Sequence, residues 1–353
     1  MRLESLRQKI NQIDSKIVNL LNTRTRFTLD VAEVKRKTGK GIYSPDREQE
    51  VLKRIALLNK GPLEKASLQA IYREIMSSSL SLGARLKVAY LGPEATFTHL
   101  AALKRFGSQV EYLACNTIAD IFIEVEKDNA HYGVVPVENS VEGAVSHTLD
   151  MFIDSDLKIC SQIVLDVSHN LLSRCPKKEL QRIYSKLEVF GQCRIWLQQN
   201  LAHAELVEAS STSRAAQLAA KDKRGAAIAS SLAAQIYRLD IIARNIEDSP
   251  HNITRFLVIG KDEVLPTRND RTSVMFSIKD RIGALYEMLL PFKKHRINLT
   301  KIESRPSKKK AWDYYFYADL VGHKNSPQVK SALRELETKC RFLKILGSYP
   351  VED

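Results

Sequence analysis

The chain has 353 residues, 44% of them hydrophobic and 27% charged, which is the composition of a globular protein with room for two or three domains. Its formal net charge is +13, but the basic residues are spread along the chain and mixed with acids, so they read as a general field for small anions rather than a nucleic-acid track. No stretch approaches the length of a membrane span, and the five cysteines and eight histidines lack C-x-x-C or metal-ligand spacing, so neither membrane, disulfide framework, metal nor cofactor is expected.

Residues 1–85 read as helical. The charged, amphipathic opening has no apolar signal region, which points to a cytoplasmic address. Leu3, Leu6, Ile10, Ile13, Ile17 and Leu20 recur at spacings of three and four, and Phe27, Val31 and Val34 continue the seam. No Gly or Pro precedes Gly39, so one long helix is predicted up to it. Ser44-Pro45-Asp46 reads as an N-cap, a proline at the first helical position and a first-turn acid, opening a second helix to about Asn59. Gly61-Pro62 breaks the pattern, and a third helix follows from about Leu63 to Leu82. Three helices cannot bury so long a seam, so a dimer of intertwined helices is predicted. Arg24 falls on the seam, where a charge is costly unless it meets an anion. Arg7 and Lys35 would lie about 42 Å apart on one helix, so only an antiparallel partner chain could bring Arg7 near Arg24 and Lys35.

Residues 86–265 alternate short apolar runs with amphipathic stretches, an α/β pattern. The predicted strands are Val88–Leu91, Gly133–Val137, Ile159–Leu165, Ala226–Ala229 and Phe256–Ile259, with a helical stretch at Arg214–Lys221. Residues 262–270 read as a linker. From 271 to 353 the order is strand (Thr272–Ile278), helix (Gly283–Lys294), two strands (Asn298–Ser304, Trp312–Val321), helix (Ser326–Lys339) and strand (Phe342–Tyr349), the ferredoxin-like arrangement. The run Lys308-Lys309-Lys310 reads as a solvated turn. Gly283 and Ala284 at a helix start allow close backbone approach.

Four polar segments stand out. In His251-Asn252-Ile253-Thr254-Arg255-Phe256-Leu257-Val258-Ile259-Gly260, a hydroxyl and a guanidinium sit at the mouth of the strand predicted from Phe256. Gly92-Pro93-Glu94-Ala95-Thr96-Phe97-Thr98 and Pro136-Val137-Glu138-Asn139-Ser140 read as turns leaving strands, and Ser211-Thr212-Ser213-Arg214 opens a helix. Singly each is an ordinary cap or turn. In this order, and with Glu303-Ser304-Arg305-Pro306, they resemble the prephenate dehydratase family with its carboxy-terminal ACT module. The helical block resembles a helical chorismate mutase at Leu6-Arg7-Gln8-Lys9-Ile10, Asn22-Thr23-Arg24, Val34-Lys35 and Pro45-Asp46-Arg47-Glu48. Nearly the whole chain is therefore similar to the bifunctional chorismate mutase–prephenate dehydratase family. The implied architecture is an all-helical dimerising mutase domain, a two-lobed α/β dehydratase domain and a ferredoxin-like ACT domain.

The resemblance implies chorismate and prephenate as substrates, phenylalanine as effector, and a homodimer or higher homo-oligomer. Arg7, Arg24 and Arg47 would bind the carboxylates of chorismate, Lys35 its ether oxygen and Glu48 its ring hydroxyl, with Ser79 beside them. Such a site fixes a compact conformer and stabilises developing charge. Thr254 would donate to the hydroxyl that leaves prephenate. Arg255 would bind a carboxylate or brace the strand, binding being favoured. Thr96, Glu138, Asn139, Ser140, Thr212 and Phe256 would line that pocket. Gly283, Ala284, Leu285, Asn298, Leu299, Glu303 and Ser304 would hold phenylalanine. Two departures stand against the family pattern. Gly83 replaces a side chain that donates to the ether oxygen, with Arg85 as a neighbouring substitute, and Lys186-Leu187-Glu188 replaces His-Pro-Gln. Cys193 reads as a packed thiol. The favoured reading is a bifunctional enzyme; the alternatives are a monofunctional dehydratase with a degenerate helical dimerisation domain, and a non-catalytic sensor of aromatic metabolites.

Overall fold

A computed structural model describes residues 3–38, 41, 43–249, 251–278, 281–307 and 314–351. The stop at Gly39, the lysine turn 308–310 and Trp312 lie outside the described residues. The chain divides into two compact units, Met1–Lys87 with Arg105–Glu111, and Val88–Lys104 with Tyr112–Asp353.

The first unit holds α1 (Leu3–Lys37), α2 (Pro45–Leu58) and α3 (Lys65–Ala84). The three-and-four spacing does give one long helix, and none of its residues is buried. Ile10, Ile17, Leu20 and Phe27 are 55%, 46%, 69% and 67% exposed. So long an apolar stripe in water is the mark of a surface awaiting a partner. At α2, Pro45 starts the helix with Asp46 and Glu48 in its first turn, as the dipole favours. Ser44 occupies the N-cap position but makes no cap, because its hydroxyl accepts from Lys35 Nζ at 2.5 Å. Gly83 of α3 sits against α1; a Cβ there would lie 3.1 Å from that of Ala32.

Among the described residues, the second unit is built on three sheets. The chain lays down β1 (Lys87–Leu91), α4 (Phe97–Phe106), β2 (Glu111–Cys115), α5 (Ile118–Glu126), β3 (Tyr132–Asn139), β4 (Gly143–Ala144), α6 (Ser146–Asp154) and β5 (Lys158–Asp166). It then builds a second lobe from β6 (Asn170–Ser173), β7 (Arg182–Ser185), α7 (Leu187–Gln192), α8 (Arg194–Asn200), β8 (Glu205–Glu208), α9 (Thr212–Ala219), β9 (Gly225–Ala229), α10 (Ser231–Tyr237) and β10 (Asp240–Ala243), ordered β10-β6-β9-β7-β8. β11 (Ile253–Gly260) returns to the first lobe and inserts between β3 and β5, giving the order β2-β1-β3-β11-β5 with β4 beside β3. The strand thus begins three residues before the predicted Phe256. Thr254 and Arg255 lie inside β11, not at its mouth, and both are buried. Polar residues survive there because each has a partner, described below.

The third sheet follows with β12 (Asp270–Ser277), α11 (Ala284–Lys294), β13 (Leu299–Pro306), β14 (Tyr314–Val321), α12 (Pro327–Lys339) and β15 (Phe342–Pro350), ordered β13-β14-β12-β15. This is the expected ferredoxin-like arrangement. Its outer face packs onto the first lobe: Met275, Tyr317, Leu346 and Tyr349 share one buried cluster with Phe122, Phe152, Ile159 and Leu257. At Gly347 a Cβ would fall 2.2 Å from the Ile159 carbonyl oxygen, so only glycine allows that approach. Residues 262–270 are anchored along their length. Tyr132 donates to Asp262 at 3.1 Å, and His323 Nε2 lies 3.0 Å from the Val264 carbonyl.

Candidate active sites

In the helical unit, Arg24, Lys35, Arg47, Glu48 and Ser79 line one cavity of 570 Å³ with Gly83 on its wall. Arg24 Nη1 donates to Ser79 Oγ at 3.1 Å. Burial lowers the Arg24 pKa; Tyr72 opposes that, and the nearby cations Arg47 and Arg54 add to it. A pocket that crowds guanidiniums is poised for an anion, which relieves their repulsion. Glu48 is nearly buried, 3.3 Å from Arg105 Nη2, and Arg105 also donates to the Tyr43 hydroxyl. Arg47 pairs with Glu50 at 2.6 Å on the exposed side. Arg7, on the same helix as Arg24, does not line the cavity. Neither does Arg85, which ends α3 in a left-handed conformation. Sequence reasoning missed further lining residues, Arg54 and Tyr72 among them. Their one signal was helical spacing, Arg54 lying two turns beyond Arg47.

In the α/β unit the polar segments converge on β3 and β11. Thr254 stands opposite Asn139 in the antiparallel pairing. Asn139 Nδ2 donates to Thr254 Oγ1 at 2.8 Å and to Asn252 Oδ1 at 2.7 Å. The Asn139 carbonyl oxygen accepts from the backbone N–H groups of Val141 and Glu142, which fixes the amide's orientation. Ser140 braces the turn: its hydroxyl donates to the His251 carbonyl at 2.8 Å and accepts from Ile253 N at 2.9 Å. Asn252 then donates to Gln192 Oε1 at 3.0 Å, and that oxygen is 2.8 Å from His169 Nε2. The chain of polar groups follows the two crossings between lobes, where Val167 N bonds the Asn252 carbonyl and Ile246 N bonds that of His169. Burial lowers the His169 pKa, partly offset by its bond to Gln192.

The two strand-to-helix turns meet each other. Ser213 Oγ donates to the Glu94 carbonyl, and Ser230 Oγ to that of Ala95 at 3.1 Å. Thr96 Oγ1 caps backward onto the Leu91 carbonyl at 2.8 Å, and Thr212 opens α9 buried. Phe256 is 2% exposed, packed in the strand core. Arg255 is engaged on the opposite side of β11 from Thr254. Its Nε lies 2.6 Å from Glu138 and its Nη1 2.7 Å from Asp319 of β14. Burial pushes the Glu138 pKa up, but Arg255 and Lys301 together outweigh it and hold the carboxyl below its usual range. Glu188 pairs with Lys186 at 3.3 Å at the start of α7, while Gln192 at its end reaches the polar chain. Cys193 is fully buried and its thiol is pushed up to about 12 by that burial, so it is a packed thiol. His169, Gln192, Asn252 and Asp319 were missed as site residues. Asp319 had left a signal: a carboxylate inside the apolar run of β14 demands a cation.

In the third sheet, Gly283 has φ of 77° and caps α11 ahead of buried Ala284 and half-exposed Leu285. Among the described residues nothing lies within 4 Å of where its Cβ would be, so against them its constraint is backbone conformation, not close approach. Asn298 and Ser304 are exposed, and Leu299 and Glu303 half-buried, on and beside β13.

Three family patterns match in succession: chorismate mutase type II over residues 6–83, prephenate dehydratase over 88–264 and ACT domain over 272–338. The chain is 51% identical to a bifunctional chorismate mutase/prephenate dehydratase of Aquifex aeolicus, covering 99% of this chain and 98% of that one. It is 45% identical to the protein of that description from Pseudomonas aeruginosa, with the same coverage. Among solved structures, prephenate dehydratase from Arthrobacter aurescens in complex with L-Phe superposes with a TM-score of 0.71 at 31% identity, over 75% of this chain and 90% of that one. With a cation-lined cavity in the helical unit, a Thr–Asn pair in the α/β unit and these relatives along its full length, the chain belongs to the bifunctional chorismate mutase/prephenate dehydratase family.

Proposed function

We propose the following division of labour for converting chorismate to prephenate and prephenate to phenylpyruvate. In the helical unit, Arg24 and Arg47 take chorismate carboxylates, Arg7 arrives from a partner chain, Lys35 faces the ether oxygen, and Glu48 with Ser79 completes the wall. The shared cavity supports this reading, and the exposed α1 seam supports the homodimer it requires. Gly83 offers no donor, so Lys35 carries the charge that develops on the ether oxygen.

In the dehydratase, the carboxylate on the ring leaves as CO₂, its electrons enter the ring, and the ring hydroxyl departs with a proton. The observation that carries the assignment is the bond from Asn139 to Thr254 Oγ1. By accepting there, Thr254 keeps its own proton for the departing hydroxyl. Asn139 is itself pinned by two backbone donors, so this polarisation needs no reorganisation. Ser140, Thr96 and Thr212 shape the surrounding turns. Arg255 and Glu138 brace β11 and β3, since each already has an ionic partner. Phenylalanine binds the ACT block through Gly283, Ala284, Leu285, Asn298, Leu299, Glu303 and Ser304; the L-Phe complex of the Arthrobacter protein supports that reading. Five free cysteines suit a cytoplasmic address.

Thr254→Val removes the donor while keeping shape. Phenylpyruvate formation from added prephenate should fall by about two to three powers of ten, with chorismate consumption unchanged. Retention of most of the dehydratase rate in folded protein would remove Thr254 from this role.

A further inference from the structure

β3 and β11 pair antiparallel, with Thr254 opposite Asn139 and Arg255 opposite Glu138. Successive side chains on a strand face opposite sides. The two strands therefore carry two cross-strand pairs back to back. One is the hydroxyl–amide pair Thr254–Asn139; the other is the ion pair Arg255–Glu138. The ACT block closes the second pair from outside. Asp319 Oδ2 lies 2.7 Å from Arg255 Nη1, and Lys301 Nζ 2.5 Å from Glu138 Oε2. Lys301 and Asp319 stand opposite each other on β13 and β14. Asp319 is held in turn: Ser273 Oγ donates to its Oδ1 at 2.5 Å, and the Tyr349 hydroxyl is 2.8 Å from Ser273. The Arg255 and Asp319 side chains are 8% and 9% exposed, so water cannot readily replace either partner.

We propose that Asp319 and Lys301 are positioning residues of the dehydratase. They fix Arg255 and Glu138, and through the backbone those residues share with Thr254 and Asn139 they set the geometry of the donor pair. The pairing register of β11 with β3 shifts between Arg255 and Phe256, so the strand has its slack beside the donor. Glu303 deepens the link. It lies on the same face of β13 as Lys301 and Arg305, whose partners Glu138 and Asp150 belong to the first lobe. Glu303 also lines a 470 Å³ cavity with Asn139 and Ser140. Glu303 thus shares its strand with Lys301, the residue that holds Glu138.

The inference rests on Thr254 being the dehydratase donor, so Thr254→Val is measured alongside. Asp319→Asn keeps the shape and removes the charge. Per folded molecule, kcat for prephenate should drop about ten- to hundredfold, because small misplacement of a catalytic group costs that much. KM should stay within about threefold, and chorismate consumption should not change. Asp319→Glu should recover part of kcat, and Lys301→Met should lower it in the same direction. A structural role alone would reduce the folded fraction without this kcat-against-KM split or the rescue. If Thr254→Val is inactive while folded Asp319→Asn keeps wild-type kcat, the positioning role is overturned. If Thr254→Val is active, the donor reading fails first. Should Asp319→Asn not fold, Lys301→Met decides: reduced kcat supports the role, and unchanged kcat overturns it.

Discussion

His169 shows how one residue can report on the whole α/β unit. It is buried, with Nε2 bonded to Gln192 at the crossing between lobes. Burial disfavours its charged form, so its folded pKa lies below the unfolded value of about 6.5. Between those two values the unfolded chain binds more protons, and stability rises with pH. The contribution is therefore complete above about pH 6.5 and is lost as pH falls towards the folded pKa. His99 behaves likewise, burial again being the main cause. The thermal midpoint of the wild type should decline on acidification from about pH 7 to about pH 5, and His169→Asn should flatten that slope. Differential scanning calorimetry across the range checks it; an unchanged slope would mean that His169 binds protons equally in the folded and unfolded states.

Elements differ in how plainly the sequence declares them. The seam of α1, the proline start of α2 and the β-α-β-β-α-β order of the last block were legible because period and punctuation act locally. The second-lobe strands β6, β7, β8 and β10 were not, being four residues each with no alternating pattern to mark them. β11 was legible as a strand but not in extent. Thr254 and Arg255 read as its entrance because their partners, Asn139, Glu138 and Asp319, are distant in sequence. The candidate sites divide in the same way: motif residues could be named, while Gln192, Asn252, Asp319 and Arg54 needed the fold to bring them in. Gly347 shows what such long-range packing costs. With a Cβ directed at the Ile159 backbone, Gly347→Ala should destabilise the α/β unit by about 1–3 kcal/mol. Denaturant unfolding of the variant checks this, with loss of dehydratase activity expected to follow the loss of stability.

At the scale of the molecule, the helical unit and the α/β unit make different demands. The dimer proposed above pairs the exposed α1 seam with that of a second chain. Arg7→Ala and Arg24→Ala should each abolish chorismate rearrangement. A mixed population in which strands exchange should regain roughly a quarter of wild-type activity, since half the dimers carry one intact site. No recovery in verified mixed dimers would exclude a site shared between chains. The α/β unit needs its own carboxy terminus. Deleting residues from 271 onward would bare the cluster around Leu257 and leave Arg255 without Asp319. Such a chain should lose the dehydratase along with any phenylalanine response, and its soluble yield should fall; activity assays on the truncated protein measure both.

The return of β11 also orders events during synthesis. A ribosome makes β3 and β5 well before the strand that lies between them, and the whole second lobe emerges in the interval. Until residue 260 has left the exit tunnel, the first lobe has a gap between β3 and β5 and two strand edges open to other chains. Even then, the cover from Met275, Tyr317, Leu346 and Tyr349 is still to come. The helical unit is complete far earlier, apart from the short return at residues 105–111. A pause in translation between residues 167 and 252 would therefore hold the nascent enzyme in its most aggregation-prone form, with one activity nearly assembled and the other impossible.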